Sequence, residues 1–393
     1  MKTIYLDYNA TTPLCEEVRA AMINDLSVYG NASSMHGSGR EARARVEEAR
    51  KRAGELLGVP AKTIIFTSGG SESNNTVFNA MRNLASDKHG APLDSGRRFF
   101  ITSAIEHPCV LNSAAYLESL GFKVVFLPVD GAGRIDMDEY KKALNEETLF
   151  VSVMLANNEI GTIQDIKQIA ALAKTAGAFV HTDAVQAVGK IPVYAAELGV
   201  DYLTVSAHKI YGPKGVGALY VKENAPLVPL IHGGHQEDGK RAGTYNNLGI
   251  LGFGKAAELA KEGLPEYGKT TGRLRKKLMD GLLGTIPSIK INGHTTEVLP
   301  NTLNVSFPGA EGEAILLSMD LAGIEASTGS ACASGSLEPS HVLLATGVGP
   351  ELAHGSIRFS LGLGTTEDAI DYVLEKMPPI IKRLRSMSTL EQK

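Results

Sequence analysis

Residues 63–74 read Thr63-Ile-Ile-Phe-Thr67-Ser-Gly-Gly-Ser71-Glu-Ser-Asn74, an apolar run that meets a helical pattern at two adjacent glycines. The apolar run predicts a buried strand, and the residues after the glycines predict a helix that continues through Asn79. A strand that turns directly into a helix is the building unit of layered α/β proteins. The stretch therefore predicts the α/β class.

Further apolar runs and helical patterns alternate around this stretch, from about residue 15 to 260. A long amphipathic helix is predicted before it, at roughly His36 to Leu57, and another helix is expected from about Ile166. Strands separated by helices imply right-handed crossovers and a mostly parallel, doubly wound sheet. The further predicted strands are residues 98–103, 123–127, 149–155, 178–182, 202–205 and 216–221.

After about residue 260 the pattern changes. A basic helix from Arg273 to Leu283, strands near Ile289 and Leu303, a helix from Glu311 and a closing helix from Thr366 are typical of a smaller α+β unit. We therefore expect two domains. Residues 15–260 form the large one, and residues 1–14 with 261–393 form the small one, which carries a mobile loop at about 327–336.

The composition of the 393 residues excludes several classes of function. The 39 basic and 43 acidic residues give a net charge of −4, and no basic cluster offers a surface for nucleic acid. The apolar stretch from Leu149 to Ala156 is far shorter than the roughly 20 residues that span a bilayer. The three cysteines include no CxxC pair, so neither a disulfide framework nor a zinc site is expected. We expect a cytoplasmic protein without membrane or nucleic-acid partners, in which a single thiol stays reduced.

Two strand ends carry residues suited to an anionic cofactor. Gly70 and Ser71 open a helix whose free N–H groups can bind phosphate, although a glycine turn with a serine cap is the common alternative. Ser206, His208 and Lys209 end another strand, where a lysine of depressed pKa can form a Schiff base. The alternative is that Lys209 is a surface lysine before a turn. Its position between a buried strand and a glycine hairpin disfavours that alternative.

Three more strand ends add polar side chains. Asp183 can pair with the protonated pyridine nitrogen of pyridoxal phosphate, although a helix N-cap is the alternative and the more common role of an isolated aspartate. His107 could lie over an aromatic ring, and Asn158 follows the strand at 149–155; each has a turn residue as its alternative. Because ligands of open α/β sheets bind at the carboxyl ends of the strands, the five ends together predict one site.

A single cysteine stands in the stretch Ser327-Thr-Gly-Ser-Ala-Cys332-Ala-Ser-Gly-Ser336, where all other residues are small. Such residues build almost no apolar core and are typical of a mobile loop. A structural cysteine is usually buried, so this composition favours a functional thiol at Cys332.

Together these motifs resemble the cysteine desulfurase family of the NifS/IscS type, among the class V aminotransferase-like enzymes that use pyridoxal phosphate. The most specific part is Ser206-Ala-His-Lys-Ile-Tyr-Gly-Pro-Lys-Gly215 combined with Ser-Ala-Cys332. The match extends from residues 5–13 through 30–36 to 356–362. It implies the fold of pyridoxal-phosphate-dependent transferases, and Cys332 resembles the branch with a long cysteine loop.

The resemblance assigns a role to each candidate residue. Lys209 would bind the cofactor covalently and act as a catalytic base, and His107 would stack on the ring as a further catalytic residue. Arg358 would bind the substrate carboxylate, a task that suits a bidentate guanidinium, with Asn158 beside it. The other implied contacts are Asp183 to the pyridine nitrogen, Gln186 to the ring hydroxyl, and Gly70, Ser71, Ser206, His208 and, from a second subunit, Thr244 to the phosphate.

The implied reaction converts L-cysteine into L-alanine and leaves the sulfur as a persulfide on Cys332. A homodimer would pass this sulfur to an iron–sulfur scaffold or another acceptor protein, and Cys332 is a possible ligand of a nascent iron–sulfur cluster.

Position 71 is Ser where Thr is commoner in the family, and Cys109 just after His107 is unusual. A selenocysteine lyase or a class V aminotransferase is the alternative enzyme, and a silent docking scaffold the alternative of another class. The sequence leaves the acceptor and the role of Cys109 open.

Overall fold

The computed structural model describes residues 3–93, 96–328 and 339–387. Its strands are β1 (Ile4–Tyr5), β2 (Ile64–Thr67), β3 (Phe99–Ser103), β4 (Lys123–Leu127), β5 (Thr148–Ser152), β6 (Phe179–Asp183), β7 (Tyr202–Ser206), β8 (Gly217–Val221), β9 (Lys290–Asn292), β10 (Thr302–Ser306), β11 (Ile324–Glu325) and β12 (Ser356–Ser360). Its α-helices are α1 (Glu16–Asp25), α2 (Gly37–Leu57), α3 (Gly70–Leu84), α4 (Pro108–Ser119), α5 (Met137–Ala143), α6 (Ile166–Thr175), α7 (Ala195–Leu198), α8 (Asn247–Thr285), α9 (Gly312–Leu321), α10 (His341–Ala345), α11 (Pro350–His354) and α12 (Glu367–Met387).

The central sheet has seven strands in the order β2-β8-β7-β6-β5-β3-β4. The pairings from β7 through β4 are parallel, whereas β8 runs antiparallel to both β2 and β7 because a short hairpin joins it to β7. The predicted α/β class and the mostly parallel sheet are confirmed, and each strand predicted within residues 63–221 is present with ends shifted by up to three residues.

Both faces of this sheet are buried, as a doubly wound fold requires. Successive residues of β5 and β7 point to opposite sides, so Val151 and Leu203 belong to one apolar core while Phe150 and Tyr202 belong to another. Helices α2 and α8 cover the first face, and α3 and α4 cover the second. The alternation explains why these strands are apolar throughout.

A further apolar core lies around the antiparallel sheet β12-β10-β9. The second half of α8, with α9 and α12, packs on it through side chains such as Leu278, Ile315 and Val373. Strand β1 pairs with β11, and Asp7 bridges to Ser360 of β12, so the residues before α1 join this part of the molecule. No helix of the described residues is both long and apolar enough to span a membrane.

Helix α8 is longer than the sequence predicted. The basic helix expected from Arg273 to Leu283 is the second half of a continuous helix of 39 residues that contains Pro265. Packing explains the continuity, since the first half contacts α2 and the second half contacts the core of the small sheet. The helix therefore runs through residue 260, the boundary expected between two domains. The division at that residue stays a prediction.

The contact between α2 and α8 allows a matched test of this packing. A Cβ atom on Gly254 would lie 2.6 Å from both Cα and Cβ of Ala49, whereas one on Gly263, in the same helix, would meet no atom within 4 Å. We expect Gly254→Ala to lower the free energy of unfolding by about 1–3 kcal/mol through overpacking. Gly263→Ala should instead raise it by about 0.5–1 kcal/mol, because alanine is the better helix former. Urea denaturation of both variants measures the difference, and equal stabilisation by the two would contradict the packing described here.

Candidate active site

Lys209 lies directly beyond the carboxyl end of β7, in a 3₁₀ turn of residues Ala207–Lys209. The hairpin returns the chain to β8 at Gly217, where a Cβ atom would lie only 2.6 Å from the carbonyl oxygen of Val205. Glycine at 217 therefore lets β8 pass close to β7. The Lys209 amine donates hydrogen bonds to the backbone carbonyls of Asn9 and, at 2.7 Å, Ala10. The strand end thus presents a half-buried amine.

A cavity of about 230 Å³ surrounds this amine at the carboxyl edge of the parallel strands. The five strand ends selected from the sequence meet in its wall, as the topology of the sheet requires. Thr244 excepted, the structure brings the predicted cofactor-binding residues together here. They are Gly70, Ser71, His107, Asn158, Asp183, Gln186, Ser206, His208 and Lys209.

One end of the cavity is suited to an anion. Gly70 and Ser71 form the first turn of α3, whose free backbone N–H groups and partial positive charge attract negative groups. The N-cap is Gly69 and not Ser71, so the serine hydroxyl is not used in capping. Ser206 and His208 line the same cavity. Burial, helped by Lys209 and other nearby lysines, lowers the pKa of His208 to about 4, so its imidazole is neutral at neutral pH.

Asp183 ends β6 and is buried, with 7% of its surface exposed. Its Oδ1 accepts a hydrogen bond from the backbone N–H of Val185 at 2.9 Å, and its Oδ2 accepts one from the amide of Asn74 at 2.7 Å. Asp183 does not cap a helix, which was the alternative interpretation of this residue. Asn74 was not selected from the sequence, although it stands one helical turn after Gly70 and therefore faces the same way.

Cys109 lines the cavity and is a residue that the sequence left without a role. The Asn74 amide also donates to its Sγ atom at 3.2 Å. Burial and the carboxylate of Asp183 raise the pKa of the Cys109 thiol to about 12. Because the thiolate is the nucleophilic form of cysteine, Cys109 is a weak nucleophile in this setting.

His107 is the N-cap of α4, and its Nδ1 accepts a hydrogen bond from the backbone N–H of Cys109 at 3.2 Å. An accepting Nδ1 places the proton of a neutral imidazole on Nε2. Burial lowers the pKa of His107, and Lys209 and His341 lower it further against the opposing effect of Asp183. The side chain therefore offers the cavity a neutral ring with one fixed tautomer.

Arg358 extends the site toward the small sheet. It lies on β12 with 2% of its surface exposed, and its guanidinium donates to Asp7 Oδ1 at 2.8 Å and to the carbonyl oxygen of Asn158 at 3.1 Å. Its buried Nε has no hydrogen-bond partner among residues 3–93, 96–328 and 339–387. A buried guanidinium with an unused donor, held beside a cavity residue, can bind a carboxylate.

Gln186 is connected to a polar network beneath the cavity. Its amide nitrogen donates to the carbonyl oxygen of Asn9 at 2.9 Å, and its amide oxygen accepts from the amine of Lys190 at 2.7 Å. Neither Asn9 nor Lys190 was predicted from the sequence. Lys190 stands four residues after Gln186 without a local pattern to mark it, and Asn9 is 177 residues away from its partner.

One predicted site residue of the described chain lies elsewhere. Thr244 is exposed and does not line the cavity, while Arg241 of the same loop pairs with Glu72 in the first turn of α3 at 2.9 Å. Cys332 lies outside the described residues. The described residues nearest to Cys332 on either side contact residues close to the cavity. Ser327 exchanges backbone hydrogen bonds with Arg358, and the Ser340 hydroxyl donates to the carboxyl of Glu159 at 2.5 Å.

The chain matches proteins of known class over nearly its whole length. The family model described as Aminotransferase class-V matches residues 4–373. A relative named Cysteine desulfurase IscS, from Dictyoglomus turgidum, is 49% identical over 100% of this chain and 98% of its own. The solved structure of a NifS-like protein is 40% identical with a TM-score of 0.90, covering 97% of this chain and all of that one. A second, from Rickettsia africae, is 33% identical with a TM-score of 0.86, covering 97% of this chain and 99% of its own.

These matches confirm the family that the resemblance in the sequence predicted. The chain belongs to the class V aminotransferases, within which it is a member of the cysteine desulfurase family.

Proposed function

We propose that this protein uses pyridoxal phosphate to convert L-cysteine into L-alanine and transfers the sulfur, as a persulfide on Cys332, to an acceptor protein. The observation that carries the proposal is the meeting of Lys209, Asp183 and His107 in one small cavity beside Arg358. An amine, a buried carboxylate, a flat neutral ring and a carboxylate-binding group are the set that a pyridoxal-phosphate enzyme acting on an amino acid requires.

The residues present fit this cofactor. Ser71, Ser206 and His208 would hold the phosphate at the N-terminus of α3, and Asp183, itself oriented by Asn74, would accept a hydrogen bond from the protonated pyridine nitrogen. A Cβ atom on Gly70 would lie 3.0 Å from Val185, so glycine keeps the phosphate end open. When bound, pyridoxal phosphate supplies a ring system that takes up the electrons left when the α-proton of an amino acid is removed.

The protein's own groups bind the substrate and move its protons. Lys209 would hold the cofactor, and its amine would accept the α-proton of the bound substrate. The Nε2–H group of His107 would provide a proton donor with a fixed orientation in the cavity. Arg358 and Asn158 hold the carboxylate of the substrate, which fixes the position of its sulfur for attack.

The sulfur-transfer step assigns the nucleophile to Cys332. Its thiolate attacks the sulfur of the bound cysteine, and the C–S bond breaks with its electron pair on the substrate side. Protonation of that carbon and return of the α-proton from Lys209 give alanine. The former substrate sulfur stays on Cys332 as a persulfide. Neither of the other two cysteines suits this task, because burial raises the pKa of both Cys15 and Cys109. Ser327, before the segment that carries Cys332, contacts Arg358, and Ser340, after that segment, contacts Glu159, the neighbour of Asn158. These contacts support the assignment.

Assembly and partners extend the proposal. Thr244, exposed on a loop anchored by Arg241 and Glu72, would complete the phosphate site of a second subunit in a homodimer. An iron–sulfur scaffold or another sulfur-acceptor protein would then take the sulfur, and Cys332 is a possible ligand while a cluster is being built. A cytoplasmic location suits a catalytic thiol, since reducing conditions keep the resting Cys332 out of disulfides.

The covalent link to Lys209 can be tested by colour. We expect the purified protein to be yellow and borohydride treatment to bleach it, fixing the cofactor on the peptide that contains Lys209. Lys209→Ala should lose this stable attachment because, among the described residues, Lys209 is the only lysine that lines the cavity. Lys214→Ala, an exposed lysine outside the cavity, is the matched control and should keep it. A wild type that stays colourless after pyridoxal phosphate is added would contradict the cofactor assignment.

Arg358→Lys tests the carboxylate site. Lysine keeps the positive charge but loses the planar pair of donors, so one charge-assisted hydrogen bond to the substrate should be lost. Such a bond contributes roughly 1.5–3 kcal/mol, and we expect KM for cysteine to rise about 10- to 100-fold. Arg383→Lys, on the exposed face of α12, should leave KM unchanged. An unchanged KM in Arg358→Lys, measured by steady-state alanine production, would exclude this role.

Cys332→Ala separates sulfur transfer from cofactor chemistry. The variant should keep its colour and bind cysteine, while alanine and sulfide production falls by orders of magnitude because no thiolate is present to accept the sulfur. Turnover of selenocysteine, whose C–Se bond is weaker, should survive much better. After one turnover of cysteine by the wild type, mass spectrometry should find about 32 Da of added sulfur on the Cys332 peptide.

Cys15→Ala and Cys109→Ala are the controls for that experiment, and both should keep their activity on cysteine. A persulfide on either of these residues, together with full activity of Cys332→Ala, would refute the assignment. Cysteine breakdown that does not depend on Cys332, with selenocysteine strongly preferred, would favour a selenocysteine lyase instead.

A further inference from the structure

Lys190 is a second lysine at the site, and the reaction proposed above gives it no role. It lies in the turn that follows β6, and only 2% of its surface is exposed. Its Nζ donates to Oε1 of Gln186 at 2.7 Å and to Oδ1 of Asn9 at 3.0 Å. Both partners are neutral amides. A buried lysine whose hydrogen bonds go to amides, directly behind a cofactor cavity, requires an explanation, because a buried cation without a charged partner is costly.

The contacts indicate that Lys190 is a neutral amine. A neutral amine has two N–H donors, which matches the two amide oxygens that surround it. Burial lowers the pKa of Lys190 well below its usual range, and the nearby cations Lys209 and Arg358 lower it further. The side chain therefore acts as a double hydrogen-bond donor that adds no charge beside Lys209.

These donors fix the orientation of the Gln186 side chain. With Oε1 bound to Lys190, the Nε2 end of the amide points the other way and donates to the carbonyl oxygen of Asn9 at 2.9 Å. A flipped amide would place Oε1 against that carbonyl, so two acceptors would face each other. Since an amide nitrogen carries two N–H groups, the second one remains for the cavity that Gln186 lines.

We propose that Lys190 is a positioning residue that, by donating to Gln186 Oε1, keeps the amide N–H of Gln186 turned toward the ring oxygen of the bound cofactor. The inference rests on the proposed function and adds a residue to that site. Lys190 does not touch the cofactor; it acts through Gln186, and through Asn9 it also supports the carbonyl that holds Lys209.

The proposal predicts a spectroscopic effect. The visible absorbance of the bound cofactor changes with pH as the nitrogen that links it to Lys209 loses its proton. Once that proton has left, the negative ring oxygen no longer has a cation beside it, so a donor from Gln186 stabilises the deprotonated form more strongly. Loss of the donor should therefore raise the midpoint of the titration. The loss of one hydrogen bond corresponds to a shift of up to about one pH unit.

The test is a pH titration of the absorbance of the holoenzyme in four forms: wild type, Lys190→Met, Gln186→Leu and the double variant. Methionine has nearly the length of lysine and lacks the donor. We expect each single variant to raise the midpoint by up to about one pH unit, and the double variant to shift it no further than Gln186→Leu alone, because both changes remove the same hydrogen bond. Lys255→Met, on α8 and outside the cavity lining, is the control and should titrate like the wild type.

An unchanged midpoint in Lys190→Met, or shifts that add in the double variant, would overturn the proposal, since Lys190 would then act only on stability or by its charge.

Should Lys190→Met not fold, Lys190→Gln serves in the same cycle. Its donor is neutral but too short to reach both acceptors, so the midpoint should rise by a few tenths of a unit in the wild-type background and not at all beside Gln186→Leu. No rise in the first background, or equal rises in both, would contradict the proposal. A wild type without any visible band would overturn the proposed function and this inference together, whereas a band that titrates identically in Lys190→Met overturns only the inference.

Discussion

The hydrogen bonds of Asn9 hold the site together. This residue is 1% exposed, and its backbone carbonyl accepts hydrogen bonds from both Lys209 and Gln186. Its side-chain amide donates to Thr302 Oγ1 at 2.9 Å and to the carbonyl of Asn158 at 3.1 Å, and its backbone N–H donates to Ser360 Oγ at 2.9 Å. One buried residue therefore connects the carboxyl edge of the large sheet with two strands of the small sheet. The position of the reactive amine relative to Arg358 depends on this connection.

Burial favours the neutral form of most other titratable groups in the same region. It raises the pKa of Glu106 to about 8 and that of Glu159 to about 7, and it lowers the pKa of the fully buried His181 to about 3. His107 and Lys190 are shifted toward their neutral forms as well. Because the supporting groups are neutral, only the few charged residues that face the cavity can pair with the charges of a substrate. This favours selectivity toward an amino acid.

The sequence predicted the parts of this structure that depend on local patterns. The strands of the large sheet, the helix after Gly70 and the strand ends at His107, Asp183 and Lys209 each have a recognisable apolar run or turn nearby, and the parallel topology then places those ends at one edge. It did not predict Asn9 or Asn74, whose partners lie up to 351 and 109 residues away, because no local pattern encodes such contacts. The full length of α8 was also missed, since Pro265 normally ends a helix and only packing at both of its halves keeps this one continuous.

The pairing of residues 4–9 with residues near the other end of the chain has a consequence for how the protein is made. Strand β1 needs β11, and Asn9 needs Ser360, so residues 4–9 must wait until residues 324–360 have been synthesised before they find their partners. The large sheet can begin to fold on its own, because domains generally form in the order of synthesis at about 5–20 residues per second. A nascent chain that stops before residue 360 can therefore complete its central sheet and still lack the contact with Ser360, so the capacity for catalysis arises only after that residue has left the ribosome.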